Sequence, residues 1–237
     1  DGFELEVFKS GLNYLSNYRP PIIMELAPYL YRENGYESED LINLLSSFGY
    51  EFYFGKNFKK ISVIINNAGL AWGVEPAQDA DLKKWETMID TNCKGLIYMT
   101  KAVLPDLIKR NNGHIINIGS VAGTYPYSGG NVYGGTKSFV KQFSLGLKSD
   151  LLGTKIRITN IEPGMTNTEF SKIRYSGDKK KADKVYEKMS PLTGLDIAET
   201  IYWCVERPKH VNINSIELMP LQQGFNFFAV SRTGKIR

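Results

Sequence analysis

The sequence predicts an α/β fold, a doubly wound parallel sheet whose N-terminal end is incomplete or chimeric. Three observations predict it. The short, continuously apolar runs "SVIINNAG", "HIINIGS" and "IRITNIEPG" each end in a polar or glycine turn, as strands buried on both faces do. Amphipathic stretches of helical period lie between them, which calls for right-handed crossovers. Residues 1 to 60 differ in character: they hold 6 Lys/Arg and 9 Asp/Glu, a balance of −3, which leaves +7 of the total +4 for residues 61 to 237.

In chain order, "ELEVFKSGLNYL" has helical spacing and "PIIMEL" is a compact apolar strand. "SEDLINLLSSFG" has a serine cap, an acidic first turn and a terminating glycine, and "YEFYFGKNFKKI" reads as one strand or a hairpin. These make a first segment, 1–60. The second, 61–237, opens with the "SVIIN" strand. Leu82, Trp85, Met88 and Ile89 then recur at helical spacing, and Val103, Leu104, Leu107 and Ile108 continue the stripe. After "HIINIGS" a helix is expected from about Asn131 to Leu152, through Phe139, Val140, Phe143, Leu147 and Leu151. "NINSIELMP" alternates apolar and polar residues and supplies another strand. In such folds ligands bind outside the carboxyl ends of the strands, so the turns at 66–69, 119–120 and 162–164 are expected to share one crevice.

Composition narrows the function classes. No apolar run approaches the ~18 residues needed to cross a bilayer, so no membrane partner is expected. Two isolated cysteines, Cys93 and Cys204, suit reduced thiols in a cytoplasmic protein, and two histidines give no metal site. The basic cluster "KIRYSGDKKKADKVYEK" is interspersed with acidic residues and lacks stacking aromatics; it reads as a solvated lid or helix face, with no nucleic-acid partner.

Candidate chemistry centres on "NVYGGTKSFV". Tyr133 and Lys137, four apart, share one helix face, and an ammonium beside a phenol favours its ionised form. Tyr175 and Lys179 show the same spacing, so spacing alone does not single out a site. Ser120 does: it closes the "HIINIGS" strand, at the sheet end where the following helix can bring Tyr133 to it. A hydroxyl there can hold a substrate carbonyl while the phenol exchanges a proton with the same oxygen.

"NNAG" at 66–69, "IDTNCKG" at 89–95, "IINIGS" ending at Ser120, "YGGTK" at 133–137 and "EPGMTNTEF" at 162–170, in this order, resemble a short-chain dehydrogenase/reductase over residues 61 to 237. The tail "HVNINSIELMPLQQGFNFF" resembles the branch that oxidises 3-hydroxy acids such as serine or allo-threonine with NADP. The resemblance implies a Rossmann-like sheet, a small-molecule substrate and NADP as cofactor, with NAD left open. It implies that Tyr133 exchanges the proton, Ser120 orients the substrate oxygen, Lys137 binds the nicotinamide ribose and tunes the tyrosine, and Asn92 holds a water in a proton relay. It also implies a cofactor lining from Asn66, Asn67, Ala68 and Gly69, and from Pro163, Gly164, Thr166 and Thr168 near the carboxamide. Family members often pair through their two long helices, so a homo-oligomer is expected. Alanine is usual where Gly135 stands.

A dinucleotide site of this kind needs a glycine-rich turn after its first strand, and Gly2, Gly11, Gly35, Gly49 and Gly55 are too far apart to make one. Weak NADP binding is the corresponding expectation. "DGFELEVFKSG", "RPPIIMEL" and "SEDLINLLSSFGYEFY" instead resemble the closing third of an FkbM-type, S-adenosylmethionine-dependent methyltransferase. The chain thus reads as the rear of one Rossmann-like domain joined to the rear of another. "PIIMEL" is expected to pair with "SVIIN" and cover its edge. Two alternatives to the dehydrogenase stay open, a methyltransferase fragment and a catalytically inactive fusion.

Overall fold

The computed structural model describes residues 62–226 and 229–232. The expected helices and strands of residues 1–60, the pairing of "PIIMEL" with "SVIIN" and the methyltransferase resemblance lie outside the described residues. The chain divides between Ile64 and Ile65, and the second unit, Ile65–Arg237, carries every candidate site residue and is described by itself.

Strand β1, Val63–Asn66, leads through a loop and a 3-10 turn at Ala77–Asp79 to helix α1, Leu82–Ile89. Asp81 caps α1 by accepting a hydrogen bond from the Lys83 amide at 2.9 Å. The helical path runs on through a π-helical stretch, Asp90–Gly95, into α2, Leu96–Arg110, which ends on Asn111 at φ +46°. Strand β2, Gly113–Ile118, leads to a 3-10 turn at Val121–Gly123 and the long helix α3, Asn131–Asp150. Strand β3, Ile156–Pro163, is followed by a short strand β4, Thr166–Asn167, and helices α4, Phe170–Arg174, and α5, Lys179–Val185. Strand β5, Leu192–Thr193, pairs in parallel with β4 and opens α6, Gly194–Val205, through a reciprocal Thr193/Asp196 capping box. Strand β6, Ser215–Leu218, completes the sheet.

The sheet order is β1-β2-β3-β6. Strands β2 and β3 run parallel with Asn117 opposite Asn160, and β3 and β6 run parallel with Ile161 opposite Ile216. Parallel pairing with helices between the strands is the Rossmann-like arrangement the apolar runs predict. Ile115, Ile116, Ile158 and Ile161 are buried to 1% exposure or less, so the middle of the sheet is the core. Two glycines set how closely α3 approaches the turn after β2. A Cβ on Gly123 would stand 2.8 Å from the Lys137 carbonyl carbon, and one on Gly134 would stand 2.9 Å from the Ala122 carbonyl oxygen. Backbone thus packs on backbone, bringing the first turns of α3 down onto the end of β2.

Candidate active site

Ser120 follows the end of β2, is buried, and caps the 3-10 turn by accepting from the Ala122 amide at 3.1 Å. Its hydroxyl also lies 3.5 Å from the Pro163 carbonyl at the end of β3. Tyr133 is buried in the first turn of α3, where the Ser120 hydroxyl favours its ionised form. Lys137, one turn on and also buried, donates to the Ile118 carbonyl at 2.8 Å and lies 5.9 Å from the centre of the Tyr133 ring. The phenol, the amine and the hydroxyl therefore converge at the carboxyl end of the sheet. Tyr175 and Lys179, of equal spacing, are split between the end of α4 and the start of α5.

The electrostatics differ from the simple expectation. Burial pushes the Tyr133 pKa up, and the cation opposing that rise is Arg174, not Lys137. Burial likewise lowers Lys137 from 10.5 to about 8, with Cys93 pulling weakly the other way. The desolvation that brings the groups together outweighs the help an ammonium gives a phenol in water.

Asn92 is 2% exposed within the π-helical stretch. Its Oδ1 accepts from the Leu70 amide at 2.8 Å, and its Nδ2 donates to the Leu70 carbonyl at 2.8 Å and to Thr136 Oγ1 at 2.9 Å. Both amide donors are thus committed to protein, and a water held here would have to donate to the second lone pair of Oδ1. The side chain clips the segment leaving β1 to the helix carrying Tyr133.

The cofactor-lining candidates form two strips. In the first, Asn66 donates to Asn117 Oδ1 at 2.8 Å, Asn67 and Ala68 are exposed, and Gly69 lies so close that a Cβ there would stand 3.2 Å from Lys137 Nζ. In the second, Pro163, Gly164 and Thr166 are half-buried and Thr168 is exposed. Thr166 donates to the Gly164 carbonyl at 3.2 Å, and Thr168 accepts from the Phe170 amide at 3.3 Å. Gly164 packs against Gln223, whose Oε1 would be 2.4 Å from an added Cβ. The first strip meets Lys137 Nζ at Gly69 and the second meets Ser120 at the Pro163 carbonyl, an arrangement that fits the nicotinamide ribose and carboxamide of a dinucleotide. Among the described residues no cluster of His, Cys, Asp or Glu could hold a metal ion.

Sequence reasoning missed Arg174, Tyr127 and Phe170. The cluster read as a solvated face delivers one of its cations inward: Arg174 is 3% exposed and lies 5.1 Å from the Tyr133 ring. The available signal was the i,i+4 spacing of Phe170 and Arg174, which puts ring and guanidinium on one helix face.

Comparison with known proteins decides the family. A family model described as short chain dehydrogenase matches residues 53–179. The chain belongs to the short-chain dehydrogenase family. That match begins within residues 1–60. An NADP-dependent 3-hydroxy acid dehydrogenase, YdfG, of Salmonella typhi is 58% identical over 177 residues, covering 74% of this chain and 71% of the relative. The serine 3-dehydrogenase of Agrobacterium fabrum is 54% identical over 175 residues, covering 74% and 70%. Among solved structures, a closed form of serine dehydrogenase complexed with NADP+ superposes with a TM-score of 0.72 at 46% identity, covering 91% of this chain and 83% of that one. The chain is thus similar to oxidoreductases, and no described helix is long and apolar enough to cross a membrane.

Proposed function

We propose that this short-chain dehydrogenase interconverts a small 3-hydroxy acid and its 3-oxo acid, using NADP. The observation that carries the reading is the convergence of the Ser120 hydroxyl, the buried phenol of Tyr133 and the Lys137 amine at the end of β2. The names of the relatives, NADP-dependent 3-hydroxy acid dehydrogenase and serine 3-dehydrogenase, support the substrate class and the cofactor. NADP, when bound, supplies or accepts the hydride.

The chain's own residues handle the proton. Burial keeps Tyr133 protonated, so its phenol is ready to give a proton to a substrate carbonyl oxygen as that oxygen gains charge. Ser120 donates a hydrogen bond to the same oxygen. In the reverse direction Tyr133 must accept the proton, and the charge of Arg174 and the nearby Ser120 hydroxyl ease its ionisation. Lys137, next to Gly69, has one of its three donors on Ile118, and the other two suit ribose hydroxyls. Asn66, Asn67, Ala68 and Gly69 on one side, and Pro163, Gly164, Thr166 and Thr168 on the other, would hold the nicotinamide half of the cofactor. Asn92 supports the site by fixing Leu70 and accepting from a relay water.

Tyr133→Phe is the test. NADP reduction by the full chain with 3-hydroxy acids should fall by at least about a hundredfold, the scale of general acid–base catalysis. The melting temperature should hold. Turnover near wild type in that variant would remove Tyr133 from the proton step. Pairing of two copies through α2 and α3 completes the proposal, supported by the exposed Ile97, Tyr98 and Ile108 on α2 and Phe139 and Leu145 on α3. Sedimentation velocity should give a species larger than the monomer, and a purely monomeric profile would refute the pairing.

A further inference from the structure

The buried carboxylate of Glu162 has no part in the proton chemistry above. It is 1% exposed on β3, one residue before Pro163. Four donors converge on it. Oε1 accepts from Asn160 Nδ2 at 2.9 Å and from the Ser215 hydroxyl at the start of β6. Oε2 accepts from Lys141 Nζ at 3.0 Å and from the Thr124 hydroxyl at 3.5 Å, and Lys141 also donates to that hydroxyl at 3.0 Å. Asn160 keeps its amide donor on Glu162 although its own buried Oδ1 then has no partner among the described residues. Each of these contacts is with a donor, so the position calls for a side chain that only accepts.

The carboxylate joins three pieces that carry candidate residues. Lys141 follows Tyr133 and Lys137 at intervals of one helical turn, so the three form one stripe along α3. Thr124 ends the 3-10 turn that Ser120 caps, and Glu162 itself leads into Pro163 and Gly164. Turn and helix are held to each other without Glu162, by the Ser138 hydroxyl on the Gly123 carbonyl at 2.6 Å and by the close backbone approach of Gly134 to Ala122. The end of β3 is less well held. Its register with β2 stops at Ile118 and Ile161, and the Gly119 amide on the Ile161 carbonyl at 2.7 Å is the last backbone bond on that side among the described residues. Past it, the Gly164 amide fixes the chain towards β6 through the Leu218 carbonyl at 2.8 Å, whereas towards β2 Pro163 has only the long contact from Ser120. The ion pair of Glu162 with Lys141 ties this end of the strand to the helix carrying Tyr133. With the carboxylate out of water, the attraction is stronger than between two exposed charges.

We propose that Glu162 is a positioning residue for the cofactor: through Lys141 it fixes the Pro163–Gly164 strip against α3, setting the spacing at which NADP meets the strip and Lys137. The inference rests on the reading above that these residues hold the nicotinamide half of NADP. The sign of the effect separates positioning from charge. NADP is an anion, so taking away a nearby carboxylate would strengthen its binding if charge alone acted. Loss of the tie weakens it.

The test is calorimetric titration of the full chain with NADP in about 1 M sodium chloride, where the Debye length is about 3 Å. Glu162→Gln keeps the volume but sets an amide donor against Lys141 or Asn160, and should weaken NADP about tenfold, the scale of one charge-assisted hydrogen bond. Lys141→Met, at a half-buried position, should act in the same direction and covers the case in which Glu162→Gln does not fold. Lys141→Arg restores the pair and should stay within about threefold of wild type. The double variant Glu162→Gln/Lys141→Met should bind no more weakly than the worse single variant, because both changes cut one tie. Glu217→Gln is the control: that carboxylate stands opposite Glu162 on β6 but accepts from the Tyr125 hydroxyl at 3.2 Å, and its loss should leave NADP binding at the wild-type level. Unchanged or tighter binding in Glu162→Gln or Lys141→Met overturns the proposal, even with a lowered melting temperature. Additive losses in the double variant also overturn it, as does a loss in Lys141→Arg or Glu217→Gln as large as that in Glu162→Gln, or a wild type that takes up no NADP. Failure of the dehydrogenase reading shows separately, as a wild type that binds NADP but forms no NADPH with any 3-hydroxy acid.

Discussion

Replacing Lys137 with methionine should flatten the alkaline part of the protein's stability profile. In the folded chain burial lowers the lysine from 10.5 to about 8. Below about pH 8 the side chain is charged in both states, and the folded state carries the whole cost of a dehydrated ammonium. Between pH 8 and 10.5 the unfolded chain still binds a proton that the folded chain has released, so stability rises with pH. Above that window both states are neutral and the cost is gone. The gap, 10.5 − 8, at about 1.4 kcal/mol per pH unit, amounts to about 3 kcal/mol. Cys93, whose thiol burial pushes up and the charge of Lys137 pulls down, is electrostatically linked to the lysine, so both proteins should carry Cys93→Ala. Urea unfolding followed by tryptophan fluorescence reads the correct unit, because Trp72, Trp85 and Trp203 all lie within Ile65–Arg237. The wild-type lysine should gain about 3 kcal/mol on the methionine variant between pH 7.5 and 10.5. Parallel stability curves would show that the ammonium keeps its water in the folded state, and the account of a dry site would fail with it.

Two substitutions on the helix carrying the site and the turn it packs on should act in opposite directions. Gly135 is exposed on α3 and an added Cβ meets nothing within 4 Å, so Gly135→Ala should stabilise by about 0.5–1 kcal/mol, raising the melting temperature by about 2–4 °C. An unchanged or lowered melting temperature would argue against an open helical position there. Gly123→Ala puts a Cβ 2.8–2.9 Å from backbone atoms of Lys137 and Ser138, and should cost about 1–3 kcal/mol and reduce turnover by widening the gap between Ser120 and Tyr133. Wild-type kinetics in a stably folded Gly123→Ala protein would show that this backbone contact does not set the site.

The regular part of the fold was legible because buried parallel strands and amphipathic helices leave opposite patterns. "VIIN", "GHIINI" and "IRITNIEP" became β1, β2 and β3 within a residue or two, and the helix expected from Asn131 runs to Asp150. Ser120, Tyr133 and Lys137 were legible as a set because strand end and helix start are close in sequence. Asn92 was legible only through the family resemblance of "IDTNCKG", since apolar spacing does not reveal the shift to π-helical winding at Asp90–Gly95 that carries it. Arg174 was hidden for a different reason. It lies among Lys172, Lys179, Lys180 and Lys181, and the sign of a charge does not say which cation turns inward; the tertiary contacts with Tyr127 and Tyr133 decide that.

The candidate residues also have a structural task in common that bears on how any variant is read. Each fastens a strand where it leaves the sheet: Asn92 holds both polar groups of Leu70 after β1, Lys137 holds the Ile118 carbonyl at the end of β2, and Ser120 reaches the Pro163 carbonyl at the end of β3. These are backbone groups the ladder leaves unpaired at the carboxyl edge, and burying them without partners would be unfavourable. A change that removes the side chain therefore removes both a chemical group and a tie on the strand that positions its neighbours. Tyr133 is the exception. Its neighbours Ser120, Lys137 and Arg174 act on its ring and charge, so losing its hydroxyl frees no strand end. Tyr133→Phe is for that reason the substitution in which lost turnover reports on proton transfer, while losses at Asn92, Ser120 or Lys137 mix chemistry with the fold of the sheet's edge.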